Sequence, residues 1–455
     1  MSPNKLTSPV MVTLQSTPFS IVHGCPGVPR SIPRIQTTVQ IRSVDGSPFY
    51  IRAVGAYLTT TQKVSIHATI GTNDAFKDSV IYKDPVIFRP PVGEFYQELI
   101  GLDIPLLIPL PKEIASSGVA PHWHATTIHK LFIKVSVGNS VENELNFVES
   151  FPVVVKCYDT LPLYRQFNEP VVEALQSGDK QVVAEMTIPN SSVGPGDEVN
   201  VYCKISTNTL NNKLKRGVGL KVLTLQLKEI IECFDAGLPP RKEHKIYTTT
   251  KLYGDKQLDS QGITEHFQFT FPKENECLEL YSVKFDNRCD SLLVEEEVDE
   301  DFGNMIIEPY NIAKVIEIDK LEPGISLSHT QGFSTKGHFF TVKYEVILKV
   351  SLRKAKDMQI HLPITISPYD RTSSSFLLPW ILHECDVARD KFGRMVVDQY
   401  CASLKPSDLA MVMNRFTPPP FVYRYIKEDW VRLGYNREAF GRSNNLGKCL
   451  VDYID

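Results

Sequence analysis

The sequence has no long apolar run and no regular arrangement of cysteines. No stretch of its 455 residues approaches the roughly 18 apolar residues of a membrane-spanning helix, and residues 1–14 lack the apolar centre of a signal peptide. The nine cysteines are odd in number and never form a Cys-x-x-Cys pair, which is typical of buried, reduced thiols. We therefore expect a cytosolic protein.

An excess of charge of one sign is also missing. The chain carries 49 basic and 53 acidic side chains, a formal net charge of −4. This balance excludes a strongly basic nucleic-acid binder, and we expect no nucleic-acid partner. The hydrophobic fraction of 42% is close to the globular average and argues against a wholly disordered chain.

The common local motifs of enzymes are missing as well. There is no Gly-x-Ser-x-Gly elbow, no P-loop and no strand-linked Gly-x-Gly-x-x-Gly. We therefore predict a non-enzymatic protein without a cofactor. The alternative from another class is a β-sandwich metalloenzyme, because His122, His124 and His129 are three potential zinc or copper ligands. Structural or exposed histidines are the simpler explanation of this trio.

The first 370 residues consist of short alternating segments separated by Pro, Gly, Asn and Asp. Residues 341–353 show the pattern most clearly, with apolar side chains on one face, polar side chains on the other, and Ile347 as the exception on the polar face. Such alternation is typical of antiparallel strands with one buried face. Similar runs on both sides of residue 170 predict an all-β fold with two antiparallel sandwiches in tandem.

This pattern divides the chain into four parts. We predict a first sandwich at 1–165, a linker at 166–182, a second sandwich at 183–370 and a helical C-terminal extension at 371–455. Within the linker, residues 171–176 are predicted to form at most a short helical turn. Apolar spacing in the extension predicts helices at 380–404, 408–416 and 428–440, the first of them starting after Pro379. The acidic run at 295–301 is predicted to be a solvated loop.

Several segments together resemble the arrestin family. The turn Gly194-Pro195-Gly196-Asp197 opens a strand, and Leu-Pro-Ile-Thr-Ile at 362–366 closes the second half, as in the arrestin C-domain. The first half is similar to the arrestin N-domain through residues 51–58, 106–111 and 128–137. Among arrestins, the chain resembles the fungal arrestin-related trafficking adaptors, or alpha-arrestins. The resemblance covers roughly residues 10–370.

The resemblance implies a non-enzymatic trafficking adaptor. Its partners would be the cytosolic tails of membrane transporters or receptors, with transient association to the plasma membrane, Golgi or endosomes. Family members recruit a HECT-type ubiquitin ligase through PPxY motifs that bind WW domains. A constitutive endosomal sorting scaffold, resembling the arrestin-like subunit of retromer, is the alternative with the same fold.

The PPxY motif itself is missing from this chain. Pro90-Pro91-Val92-Gly93 and Pro419-Pro420-Phe421-Val422 both lack the tyrosine. The variant Leu-Pro-x-Tyr occurs at Leu161, Pro162 and Tyr164, which are therefore the candidate ligase-docking residues. The alternative for this segment is that it holds the inter-domain linker in place.

Two basic groups lie in the second half. They consist of Lys213, Lys215 and Arg216, and of Arg241, Lys242 and Lys245. If the neighbouring strands pair, these side chains could converge into one patch for anionic lipid headgroups or phosphorylated tails, with peripheral membrane contact as the result. Ordinary solvated loop tips are the alternative.

Overall fold

The structure is a computed structural model. It describes residues 9–16, 20–44, 46–67, 72–139, 143–164, 167, 169–210, 217–234, 238–273, 333–402 and 406–435. Within this part of the chain, no helix combines the length and the apolar character that a bilayer crossing needs.

Antiparallel strands dominate both halves of the chain, as predicted. The strands of the first half are β1 (Val10–Leu14), β2 (Val22–His23), β3 (Arg34–Ser43), β4 (Phe49–His67), β5 (Thr72–Phe88), β6 (Gln97–Leu99), β7 (Gly101–Pro109), β8 (Gly118–Ala120), β9 (Ala125–Val137) and β10 (Leu145–Val153). Those of the second half are β11 (Val171–Gln176), β12 (Val182–Ile188), β13 (Ser192–Val193), β14 (Glu198–Thr207), β15 (Gly219–Cys233), β16 (Arg241–Gln257), β17 (Ile263–Thr270), β18 (Thr335–Lys336), β19 (Phe340–Arg353) and β20 (Met358–Ile366).

The first-half strands form two sheets. In sheet I, β3 lies between β1 and β7, and β2 also pairs with β3. In sheet II the order is β10-β9-β4-β5, with β6 on β4 and β8 on β9. Alternate side chains of both sheets meet in a common core, which includes Val39, Leu58, Leu102 and Leu131. This alternation explains why single strands could be predicted from sequence.

The second-half strands form two further sheets. Sheet III has the order β11-β12-β14-β17, and sheet IV the order β13-β20-β19-β15-β16 with β18 on β19. Their shared core includes Val201, Leu225, Val346 and Ile360. The sheets are antiparallel except where the short β13 pairs in parallel with β20.

One strand replaces a predicted helical turn. Val171–Gln176 was expected to be a turn within the linker, but it is the edge strand β11, paired with β12 from Val171↔Ile188 to Gln176↔Val183. Glu173, Ala174, Leu175 and Gln176 have good intrinsic helix propensity, and pairing with β12 overrides it.

A helical extension follows the second half. Its elements are α1 (Arg371–Phe392), α2 (Arg394–Ala402), α3 (Pro406–Met413), the strand β21 (Phe421–Tyr423) and α4 (Lys427–Arg432). The strand β21 pairs with β7 of sheet I. The extension therefore returns from the second half to the first.

The first helix begins earlier than predicted. Asp370 caps α1, since its carboxylate accepts a hydrogen bond from the Ser373 N–H at 2.7 Å. Pro379 lies inside the helix rather than at its start, and Gly393 ends it with a φ of +85°. The predicted helix at 380–404 is thus two helices, α1 and α2. Predicted helix 408–416 corresponds to α3 and a short 3-10 turn. Predicted helix 428–440 corresponds to α4, which ends at Arg432, and its residues 436–440 lie outside the described part.

Candidate partner-binding surfaces

The two halves contact each other through a cluster of aromatic and aliphatic side chains. Tyr158, from the end of the first half, stacks at 5.4 Å between ring centroids on Tyr369. It also meets the edge of Trp380 on α1 at 5.2 Å. Cys25 and Leu377 complete the buried cluster. Helix α1 therefore fixes the junction between the halves.

The candidate ligase-docking residues lie in this junction cluster. Leu161 is 0% exposed and packs within the cluster, and Pro162 is also buried. The Tyr164 N–H donates to the Leu161 carbonyl at 3.1 Å. Burial raises the pKa of the Tyr164 phenol well above its usual range. These positions fit the linker alternative, and binding to a WW domain, which stays a prediction, requires Leu161 to leave the cluster.

A second contact between the halves frames a groove. The Phe339 N–H donates to the Gln62 side-chain carbonyl at 3.1 Å, and Trp123 of the first half packs into the core of the second. Beside this contact, a groove of about 610 Å³ is lined by residues of both halves, including Glu113, Lys336 and Glu345. Apolar side chains such as Phe340 and Ile364 line it beside these charged ones.

Of the two basic groups of the second half, the structure describes only the one on β16. Arg241 pairs with Glu232 at one end of β15, and Gly219 pairs with Gln257 at the other end. Thirteen residue steps of strand separate Gly219 from Glu232, or about 43 Å at 3.3 Å per residue. Lys213, Lys215 and Arg216 lie outside the described residues. The convergence of the two basic groups therefore stays a prediction.

Arg241 is, moreover, electrostatically compensated. Its guanidinium lies 3.0 Å from a Glu243 carboxylate oxygen, 3.7 Å from one of Glu345 and 3.8 Å from one of Glu232. Lys245 is exposed and Lys242 is half-buried on the same strand. The patch for anionic lipid headgroups stays a prediction.

The three histidines of the metal hypothesis are not brought together. His129 is buried, with its ring nitrogens 2.8 Å from the Thr60 hydroxyl and 2.9 Å from the Ala115 carbonyl. Burial lowers the pKa of His129 to about 4. His122 instead stacks on His244 of the second half, with ring centroids 3.4 Å apart. Among the described residues, no group of three or more His, Cys, Asp or Glu side chains could hold a metal ion.

The strand β21 is held on sheet I by a polar triad that sequence inspection missed. Asp103 accepts a 2.8 Å hydrogen bond from the Tyr423 hydroxyl and forms a 2.5 Å ion pair with Arg42. The Arg42 guanidinium also lies 5.0 Å from the centre of the Tyr423 ring. The β-prone sequence Phe421-Val422-Tyr423 after three prolines was the available signal for this strand.

Helix α4 closes the extension against the first half. Trp430 is 2% exposed and packs with Ile100. The Tyr435 hydroxyl donates to the Ser43 carbonyl at 2.8 Å. The described part of the extension is thus anchored at two points, by Trp380 in the junction and by Trp430 on sheet I.

Comparison with known proteins identifies the fold. Residues 178–369 match the family model described as "Arrestin (or S-antigen), C-terminal domain". The chain is also similar to RHO1 GEF localizing protein 1 of Saccharomyces cerevisiae, at 22% identity over 449 aligned residues that cover 86% of this chain and 88% of the yeast protein. Together with the tandem antiparallel sandwiches, these matches confirm the resemblance of the segments around 194–197 and 362–366 to the arrestin family, whose C-terminal domain matches residues 178–369.

Proposed function

We propose that this protein is a non-enzymatic arrestin-fold adaptor that holds a guanine-nucleotide exchange factor for a Rho-type GTPase at its cellular site. The observation that carries the proposal is the similarity to a yeast protein named as a localizing protein of such a factor. That similarity covers 86% of this chain, more than the arrestin domain at 178–369. It therefore extends beyond the arrestin C-terminal domain.

The mechanism of such an adaptor is bridging. One surface binds the exchange factor and another binds a component of the target site, so that the local concentration of the factor rises without chemical change. A protein in which the extension ties one half to the other suits this role, because fixed surfaces lose less entropy on binding. The protein would be cytosolic and would associate with its target membrane or cortex only transiently.

Affinity purification tests the proposal. The tagged full-length protein would be isolated from its own cells under mild cross-linking, and its partners identified by mass spectrometry. We expect an exchange factor for a Rho-type GTPase among the enriched partners, absent from a tagged control protein. Recovery of a fixed, stoichiometric coat complex without an exchange factor would instead favour the endosomal scaffold.

A second candidate function is the link between transporter or receptor tails and a HECT-type ubiquitin ligase. It rests on the Leu161-Pro162-Leu163-Tyr164 sequence, which fits a weaker form of the WW-binding motif. In the same purification, Tyr164→Ala and Tyr164→Phe variants would separate docking from packing. Loss of the ligase in Tyr164→Ala with full recovery in Tyr164→Phe indicates a packing role, because phenylalanine keeps the ring in the junction cluster. No ligase in the wild type removes this candidate.

A further inference from the structure

The edge strand β11 of sheet III has one free side. It pairs with β12 along its whole length, and it is the last strand of the described sheet. In the part of the chain that the structure describes, its six residues form hydrogen bonds only with β12. Backbone N–H and C=O groups on the other side therefore face away from the sheet, where they can pair with a further strand.

Apolar side chains at this edge are exposed on both faces of the sheet. Leu175 lies opposite Ala184, a core residue that is 0% exposed, and yet Leu175 itself is 39% exposed. On the outer face, Val172 is 52% exposed. A further strand would cover both side chains, and the burial of their apolar area favours association.

The sequence of β11 lacks the features that normally protect an edge strand from pairing. It contains no proline and no lysine, and its register with β12 is continuous. Other edge strands do carry such features. Pro152 lies in β10, whereas β5 and β16 both contain lysines and register shifts. Prolines, lysines and bulges are the means by which edge strands avoid association, so β11 is open to pairing where these three strands are protected.

We propose that β11 pairs with β11 of a second copy of this chain, in antiparallel orientation about a two-fold axis through Ala174. An axis perpendicular to the sheet keeps the outer face of one copy beside the outer face of the other. Residues opposite each other must then point to the same face, so the axis passes through a residue and not between two residues. Pairing about Ala174 matches five residues of each copy, from Val172 to Gln176.

The sequence of β11 favours this register over its neighbours. Pairing about Glu173 would place two glutamates directly opposite each other, which is destabilising. Pairing about Leu175 would match only three residues of each copy. About Ala174, in contrast, Glu173 lies opposite Leu175 of the second copy, and no like charges of β11 face each other. Because the strand is complementary to itself in this register, we assign the edge to a second copy and not to another protein.

The direction of β11 keeps the first halves of the two copies apart. The first half precedes β11 in the chain and joins it at Val171. Antiparallel pairing places the two Val171 ends, and with them the two first halves, at opposite ends of the paired strands. A dimer built in this way presents every partner-binding surface twice, which raises avidity for a clustered target. The proposal goes beyond the proposed function, because self-pairing does not depend on an exchange factor.

Sedimentation equilibrium of the full-length protein tests this inference. The wild type should show a reversible equilibrium between one chain of 51.4 kDa and two. Ala174→Lys and Ala174→Glu each place like charges opposite each other at the axis. Each variant should therefore dimerise at least about tenfold more weakly than the wild type. Thermal unfolding establishes that both variants are folded, as expected for an exposed position.

A mixture of the two variants tests the register itself. An equimolar mixture of Ala174→Lys and Ala174→Glu places opposite charges at the axis, and it should restore dimerisation. Restoration in the mixture, after loss in each variant alone, requires that residue 174 of one copy lies beside residue 174 of the other. No restoration would overturn the proposal.

Matched controls lie on the opposite edge of the same sheet. Thr264 is exposed on β17, the other edge strand of sheet III, and Thr264→Lys and Thr264→Glu should dimerise like the wild type. Equal losses in the variants at both positions would overturn the proposal, as would a wild type that sediments as one chain at every concentration. Protection of β11 from hydrogen exchange only in the presence of another protein would assign the edge to that protein and would also contradict the proposal.

Discussion

At the scale of single residues, burial explains several side chains that resemble site residues in the sequence. His129 is the clearest example, since its alternation with Leu131 and Ile133 places it on the inner face of β9. Both ring nitrogens have protein partners at 2.8 Å and 2.9 Å. A histidine between apolar strand residues is thus better explained as part of the core than as a metal ligand.

The first prediction concerns pH. Burial holds the pKa of His129 near 4, below the usual histidine value of 6.5. The unfolded chain therefore binds the proton first, and the contribution of this residue to stability is lost as pH falls below about 6.5. Between pH 7 and pH 5, the free energy of unfolding should fall by about 2 kcal/mol more in the wild type than in His129→Gln. Urea titrations at both pH values measure this difference, and equal falls in the two proteins would contradict it.

The second prediction concerns Gly46. This residue has a φ of +81°, and a Cβ atom built on it overlaps the Trp430 ring. Gly46→Ala should therefore combine backbone strain of about 1–3 kcal/mol with displacement of Trp430 from its site. Gly93→Ala is the matched control, because Gly93 has a φ of +100° and no atom within 4 Å of such a Cβ.

Tryptophan fluorescence and urea unfolding distinguish the two variants. Trp123, Trp380 and Trp430 are the three tryptophans, and all are less than 8% exposed. Displacement of Trp430 in Gly46→Ala should shift the emission maximum to longer wavelength, whereas Gly93→Ala should leave the emission unchanged. The same emission from both variants would show that Trp430 tolerates the extra methyl group.

At the scale of elements, the sequence predicted strands where one face alone is buried. The predicted strand at 341–353 corresponds to β19 (Phe340–Arg353). One face of β19 packs in the sandwich core and the other does not, so apolar and polar side chains alternate along the strand. Ile347 is 2% exposed although its neighbours on the same face are polar, and a single exception did not obscure the pattern. Predicted residues 128–137 likewise fall within β9.

Elements that depend on distant partners could not be predicted. The strand β11 exists because β12 pairs with it, and β21 because the edge of β7 is available. Helix α1 crosses Pro379, where the missing N–H normally weakens a helix. Packing of Trp380 and Leu377 in the junction cluster compensates for the helix hydrogen bond that Pro379 cannot make. The division of the chain at 165, 182 and 370 stays a prediction.

The third prediction tests how β21 is held. Tyr423→Ala removes the hydrogen bond to Asp103 and the contact with Arg42. We expect about tenfold faster trypsin cleavage in the segment after β21, because a loss of roughly 1.4 kcal/mol raises the opened population by that factor. Tyr423→Phe, which keeps the ring over Arg42, should be cleaved at a rate much closer to that of the wild type. Identical cleavage of all three proteins would mean that the triad does not hold the strand.

At the scale of the whole molecule, the helical extension couples the two halves. Helix α1 contributes Trp380, which is 0% exposed in the junction, and β21 with α4 covers the edge of sheet I. The hydrogen bond between Phe339 and Gln62 adds a second contact. An adaptor with these contacts presents its surfaces in one arrangement, which reduces the entropy lost on binding.

The fourth prediction addresses this coupling. Trp380→Ala should lower the free energy of unfolding by about 3–5 kcal/mol, the range for truncation of a buried tryptophan. Calorimetry should show one cooperative transition for the wild type and two resolved transitions for this variant, since the halves no longer stabilise each other. Trp380→Phe should retain one transition. A single transition at the wild-type temperature in Trp380→Ala would contradict the role of the junction.

The candidate surfaces were less predictable than the fold. The free edge of β11 could not be predicted, because residues 171–176 become a strand only by pairing with β12. By contrast, Arg241, Lys242 and Lys245 form a conspicuous group in sequence, but Arg241 is paired with carboxylates from neighbouring strands.

The most direct test of the central claim is the cellular distribution of a Rho-type exchange factor with and without this protein. The factor would be fluorescently tagged at its own locus, imaged in wild-type and deletion cells, and imaged again after the protein is restored. The account predicts that the factor loses its focused distribution in the deletion and regains it on restoration, while its total amount stays constant. An unchanged distribution of every Rho-type exchange factor in the deletion cells would contradict the account.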